Sequence, residues 1–144
     1  MLAVLPLTSL GVTFESKSFE QLVLEAEQIF IGQASGGVPR RHSGGAIVTD
    51  VGFSGAVVLK GDPAAAPPTL MVAGGRLGSE NFNVPGPPRF VPGTTYLVFV
   101  QGNGRTIFPV VGGDAGMFVV REDATTGRGL VFDFRGQVIA NTSV

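Results

Sequence analysis

A chain of 144 residues, 44% of them hydrophobic, is long enough to bury a core without metal or disulfide support. Its charged fraction of 15% lies far below the roughly 25% of an average domain. Ten basic against eleven acidic residues, net −1, exclude the electrostatic footprint of a nucleic-acid or anionic-membrane binder. The absence of cysteine excludes disulfide frameworks, thiolate metal sites and cysteine nucleophiles.

With 22 glycines and 10 prolines, long helices are disfavoured, and the Val, Phe, Leu and Ile content suits a pleated, half-buried surface. Residues 1–12 are apolar but too short to span a bilayer. Two readings stay open for them. One is the remnant of a signal peptide, ending in the small-x-small pattern Ser9-Leu10-Gly11; the other is a first strand over 2–7. The rest, 13–144, reads as a single domain, and no segment is long enough to be transmembrane.

One short helix is predicted. Ser18 is a good N-cap, Gln21 completes a capping box, and Phe19, Leu22, Val23 and Ala26 share a face. The period changes after Glu27, so 29–34 is a strand and 35–45 a loop carrying Gly36-Gly37, Pro39 and Gly44-Gly45. Residues 46–59 form the longest extended stretch. Ile47, Thr49, Val51 and Phe53 lie on one side, and Val57 and Leu59 are expected to keep their phase, with Val58 opposite. Gly55 in mid-strand marks a bulge or sharp coil.

A turn and a stiff Ala/Pro connector follow at 60–68, then a short strand at 69–73. Residues 74–93, about twenty in all, are an ordered functional loop or hide a strand around 81–84. A central strand at 95–100 and a turn at 101–104 lead to strands at 106–111 and 117–121. A final hairpin, 130–134 with 137–140, turns at Arg135-Gly136.

Four segments, in order, carry a resemblance: Phe19-Glu20-Gln21-Leu22-Val23 running into Ala26-Glu27-Gln28-Ile29-Phe30-Ile31-Gly32; Val57-Val58-Leu59-Lys60-Gly61; Phe90-Val91-Pro92-Gly93-Thr94-Thr95-Tyr96-Leu97-Val98-Phe99; and Gly112-Gly113-Asp114-Ala115-Gly116-Met117-Phe118-Val119-Val120. Together they resemble a group of uncharacterised bacterial exported proteins and the netrin-like domain of tissue inhibitors of metalloproteinases. The resemblance implies a mainly β, OB-like small barrel, closed or nearly so, with one short helix and an added C-terminal hairpin. It also implies export to the periplasm, cell surface or medium and, in some members, a neighbouring protease-like or anchoring domain. Those inhibitors reach the catalytic zinc through an N-terminal cysteine, which this chain lacks, so inhibition by that chemistry is excluded.

No catalytic or metal-binding constellation stands out, and no cofactor is implied. The single histidine, His42, sits between Arg41 and Ser43 in a Gly-rich loop, without the partners a triad or zinc site needs. Asp50 interrupts an apolar strand and is the one carboxylate that invites a hydrolase reading, but a solvent-facing strand position or a cap on a neighbouring loop accounts for it better. Gly74-Gly75-Arg76-Leu77-Gly78 lacks the helix and lysine of a phosphate loop and reads as turn glycines. Asn81, Phe82, Asn83, Arg89 and Phe90 mix aromatic, amide and guanidinium groups in the long loop, a surface suited to a protein or glycan, although the rings also suit plugging a barrel end. The expectation is a non-enzymatic exported binding or accessory module with a protein partner. A self-assembling subunit that adds its apolar N-terminal strand to a neighbour's sheet is the alternative.

Overall fold

The computed structural model describes residues 18–62, 69–83, 89–133 and 138–142. The readings of 1–12, of the Arg135-Gly136 turn and of Val84 lie outside them. The helix α1 spans Phe19–Glu25, and both halves of its capping box are made. Ser18 Oγ accepts from the Gln21 N–H at 3.1 Å, and Gln21 Oε1 accepts from the Ser18 N–H at 2.8 Å. The chain is otherwise mainly β. Nine strands follow: β1 Gln28–Arg41, β2 Ile47–Lys60, β3 Thr69–Ala73, β4 Gly75–Leu77, β5 Glu80–Phe82, β6 Thr95–Val100, β7 Met117–Glu122, β8 Gly129–Phe132 and β9 Val138–Thr142. Seven of them form one antiparallel sheet in the order β3-β2-β1-β6-β7-β8-β9, and β4 pairs with β5 as a separate hairpin.

The predicted loop at 35–45 is not there. β1 runs straight through Gly36-Gly37 to Arg41, and the turn into β2 is confined to 42–46. The strand absorbs its glycines as a bulge. Between the pairs Ala34↔Phe53 and Gly37↔Val51, β1 supplies two residues and β2 only Gly52. Glycine composition signals a change of backbone direction, and here a bulge provides it without breaking the ladder.

The second bulge overturns the expected phase of β2. Between Ile31↔Val57 and Gln33↔Ser54, β2 supplies Gly55 and Ala56 against the single Gly32. Gly55 takes φ +61°, which a side chain rarely adopts. One extra residue exchanges the faces of everything beyond it. Ala56 and Val58 therefore pack against the core that holds Phe53, whereas Val57 and Leu59 are more than half exposed.

Two apolar layers sandwich the sheet. On one face Phe30, Val51, Phe53, Leu70, Val72, Tyr96, Val98, Val100 and Val110 form a continuous core. On the other, α1 lays Leu22 over Ile29, Leu97, Phe99, Phe118 and Val131, with Ala26 just past its end. Phe19 stands edge-on to Phe99 at 5.3 Å and 5.9 Å from Phe118. β6 is covered on both sides, so every residue from Tyr96 to Val100 is buried, as its unbroken apolar run requires.

The closed or nearly closed barrel is not formed among the described residues; the ladder is open from β3 to β9. Nor is 106–111 a strand. Pro109 has no N–H to give a ladder, and Gly102 and Gly104 take positive φ. The segment after β6 instead makes separate hydrogen bonds to both sides. The Gln101 N–H donates to Pro109 O at 2.8 Å and the Val111 N–H to Phe99 O at 3.0 Å. The Ala73 N–H at the end of β3 donates to Ile107 O at 2.8 Å. The Asn103 amide completes the link, accepting from the Met71 N–H at 3.0 Å and donating to Thr69 O at 2.7 Å. This covers the outer edge of β3, which would otherwise be a bare template for pairing. None of the described helices is long and apolar enough to cross a membrane.

Candidate functional site

The long glycine-rich region after β3 builds the site. Gly74 is fixed to β2 at two points: its N–H donates to Ile47 O at 2.9 Å, and its carbonyl accepts from Thr49 Oγ1 at 2.8 Å. Gly75 then lies so close to β2 that a Cβ would meet Thr49 Oγ1 at 2.6 Å, at φ +144°. Only glycine allows that approach. The β4–β5 hairpin is thereby folded back over the β1–β2 hairpin. Its far end is held by Arg41, which donates to Glu80 Oε2 at 2.8 Å and to Gly45 O at 3.0 Å.

Between this flap and the sheet lies a cleft of about 360 Å³. Its floor is Gly37, Thr49, Val51, Val72, Ala73 and the two glycines; its walls are Arg76, Asn81, Phe82, Asn83, Arg89 and Phe90. All five residues that the sequence singles out in this loop are thus brought to one cavity. A second hollow of about 320 Å³, between β5 and the β1–β2 turn, shares Asn81 and Phe82 with it.

The two loop phenylalanines divide the roles that their composition left open. Phe90 packs edge-on against Phe53 at 5.3 Å and Tyr96 at 5.0 Å, continuing an aromatic row that begins with Phe30. Tyr96 also accepts a hydrogen bond from the Val91 N–H at 2.8 Å, so Phe90 is a fixed wall. Phe82 is 38% exposed and lies between the two hollows.

Sequence reasoning missed Arg76 and the floor. Arg76 stands within a glycine run that reads as turn, and the floor comes from strands whose pairing only the fold determines. No local signal pointed to either, because Gly37, Thr49 and Gly74-Gly75 are distant in sequence and only the fold gathers them.

The other candidates lie elsewhere. Asp50 is held by Arg40, whose Nε donates to Oδ2 while Nη2 reaches Oδ1 at 3.3 Å and Met71 Sδ at 3.2 Å. The carboxylate in turn pushes the Arg40 pKa up. His42 shapes the β1–β2 turn through its backbone, its N–H donating to Ala46 O and its carbonyl accepting from the Gly45 N–H, both at 2.8 Å. Glu27 accepts from the Gly102 N–H at 2.8 Å and from Arg105 Nη2 at 2.8 and 2.9 Å, and these donors hold its carboxyl below the usual range. No group of three or more metal-ligating side chains occurs among the described residues.

Comparison of the chain with protein-family models, with curated proteins and with solved structures finds no match.

Proposed function

We propose that this chain is a non-enzymatic, exported binding module that takes a segment of a protein partner into the cleft under β4–β5. The observation that carries the reading is the cleft itself: concave, walled by a fixed aromatic, a half-exposed aromatic and four amide or guanidinium side chains. Interface anchors sit in such pockets, with aromatic and arginine side chains contributing most. The OB-like reading of the scaffold is supported by the long bulged β1–β2 hairpin, by β1 pairing on both sides, and by the segment tying β6 to β3. Export is supported by the four ordered segments that resemble exported and netrin-like proteins.

The test is a photo-crosslinking amino acid at position 82, with the same group at position 24 as control, incubated with the exported fraction of the native source. Leu24 is 79% exposed on α1, outside the cleft residues. A discrete adduct from position 82 only is expected. Identical bands from both positions, or none from 82, would sink the proposal.

A second reading, self-assembly, is favoured by one observation. Beyond the stretch paired with β3, β2 keeps Val57 and Leu59 exposed beside a strand edge that has no ladder partner among the described residues. Such an edge pairs readily with another copy or with an added strand. Light scattering after size exclusion, on the full chain and on one starting at Thr13, decides it: two unchanged monomers would dismiss this reading.

A further inference from the structure

The arginines around the cleft are not equivalent. Arg40 is engaged by Asp50 and Arg41 by Glu80, so their charge is already answered. Arg76 and Arg89 both line the cavity, and among the described residues neither forms an ion pair. Among the described residues, the cavity lining contains no aspartate or glutamate. The chain as a whole carries a net charge of −1, so two unanswered guanidinium groups in one cleft are a local feature and no reflection of composition. The apolar part of the lining is Val51, Val72, Phe82 and Phe90, beside the polar Thr49, Asn81 and Asn83.

We infer that the cleft selects a partner segment in which an acidic side chain lies beside an apolar one. This inference rests on the protein-binding reading above and names its specificity. A guanidinium fork matches a carboxylate with two parallel N–H···O bonds, which an ammonium cannot do. An apolar side chain seated against Val51, Val72, Phe82 or Phe90 is removed from water, which favours its burial there. At about 360 Å³ the cleft sits near the lower end of ligand cavities, room for one or two side chains and not for a large cofactor. Asn81 and Asn83 add amides suited to the backbone of an extended peptide.

The experiment selects a random twelve-residue peptide display library on the full chain, then measures fluorescein-labelled copies of the enriched peptides. The expected winners carry Asp or Glu within two positions of Leu, Ile, Val or Phe. Arg76→Gln and Arg89→Gln should each weaken a winner roughly three- to fivefold, the scale of an exposed charge-assisted pair. Raising salt from 50 to 500 mM should weaken it by a similar factor. Both arginines are exposed, so these variants fold, and Arg→Lys at either position should restore only part of the loss. Winners that lose binding on Phe82→Ala but carry no acid, or ignore both arginine variants, overturn the specificity and leave the protein-binding reading intact. A library that yields nothing sensitive to Phe82→Ala overturns both.

Discussion

Gly37→Ala would place a methyl carbon 2.4 Å from Thr49 Cγ2, on the floor of the cleft. Ordinary carbon–carbon contact is about 3.5–4.0 Å, so one of the two groups must move by more than an ångström. Gly37 is not in the left-handed region, and the cost is therefore steric and not conformational. Thr49 has little freedom to yield. It is β-branched, and its Oγ1 donates to Gly74 O at 2.8 Å. Rotating it away sacrifices that bond, about 1 kcal/mol, and an off-rotamer position costs a similar amount. Against this, Ala restricts the unfolded chain and returns roughly 0.4–1 kcal/mol. The net expectation is a loss of about 1–2 kcal/mol, or roughly 0.5–1 M in the urea midpoint followed by far-UV circular dichroism. Thr49→Ser is the decisive partner, because it deletes Cγ2 and keeps the hydroxyl. Alone it should cost under about 1 kcal/mol for one methyl group. Combined with Gly37→Ala it should cost no more than that, since the new methyl occupies the vacated space. The coupling is then at least about 1 kcal/mol in favour of the double variant. Single-variant losses that simply add, within about 0.5 kcal/mol, would refute the clash and with it the account of how β1, β2 and Gly74 meet.

Three further outcomes follow from the packing and charge. Phe99→Ala removes a ring that is 1% exposed and stacked edge-on with Phe19 and Phe118, so thermal unfolding should register about 3–5 kcal/mol of lost stability, against under about 1 kcal/mol for Phe82→Ala. Ser18→Ala removes the hydroxyl that accepts from the Gln21 N–H, leaves the Ser18 backbone bond to Gln21 Oε1 possible, and should cost about 1 kcal/mol; an unchanged melting temperature would mean that packing alone holds the helix. Glu27 has its carboxyl lowered in the folded state by the Gly102 N–H and by Arg105. The stability this contributes is present above the ordinary glutamate value of about 4.3 and is lost as pH falls from there through the depressed folded value. The gap in melting temperature between the native chain and Glu27→Gln should therefore be steady above about pH 5 and shrink below about pH 4.3. A gap that stays constant from pH 6 to pH 3 would rule the linkage out.

Part of the candidate site was legible from residue types alone. Asn81, Phe82, Asn83, Arg89 and Phe90 stood out because aromatic, amide and arginine side chains together suit a protein or glycan contact surface, and all five line the cleft. Their division of labour was not legible. Whether a loop phenylalanine faces solvent or a core depends on what lies beneath it. Beneath Phe90 lie Phe53 and Tyr96, residues distant in sequence that only the sheet order brings together. Arg76 escaped notice for the opposite reason. Its neighbours say turn, and nothing local says that the turn is folded back onto Thr49.

Local signals determined the elements whose causes are themselves local. The capping box placed α1, and the unbroken apolar run of β6 declared a strand covered on both faces, because hydrogen-bond geometry at a helix start and exclusion from water act within a few residues. The predominance of β structure followed from the same composition. Tertiary structure decided the rest. Glycine in an extended run can end a strand or bulge it, and the choice depends on the partner's register. At Gly36 and Gly55 the partner ladder kept β1 and β2 continuous and reversed the faces of Val57, Val58 and Leu59. At 106–111 an extended composition failed to become a strand, because Pro109 lacked a donor and β3 offered its edge to a loop amide instead. The cleft itself exists only because Gly75 can approach Thr49 more closely than any side chain would allow, a contact between residues 26 positions apart that no local pattern encodes.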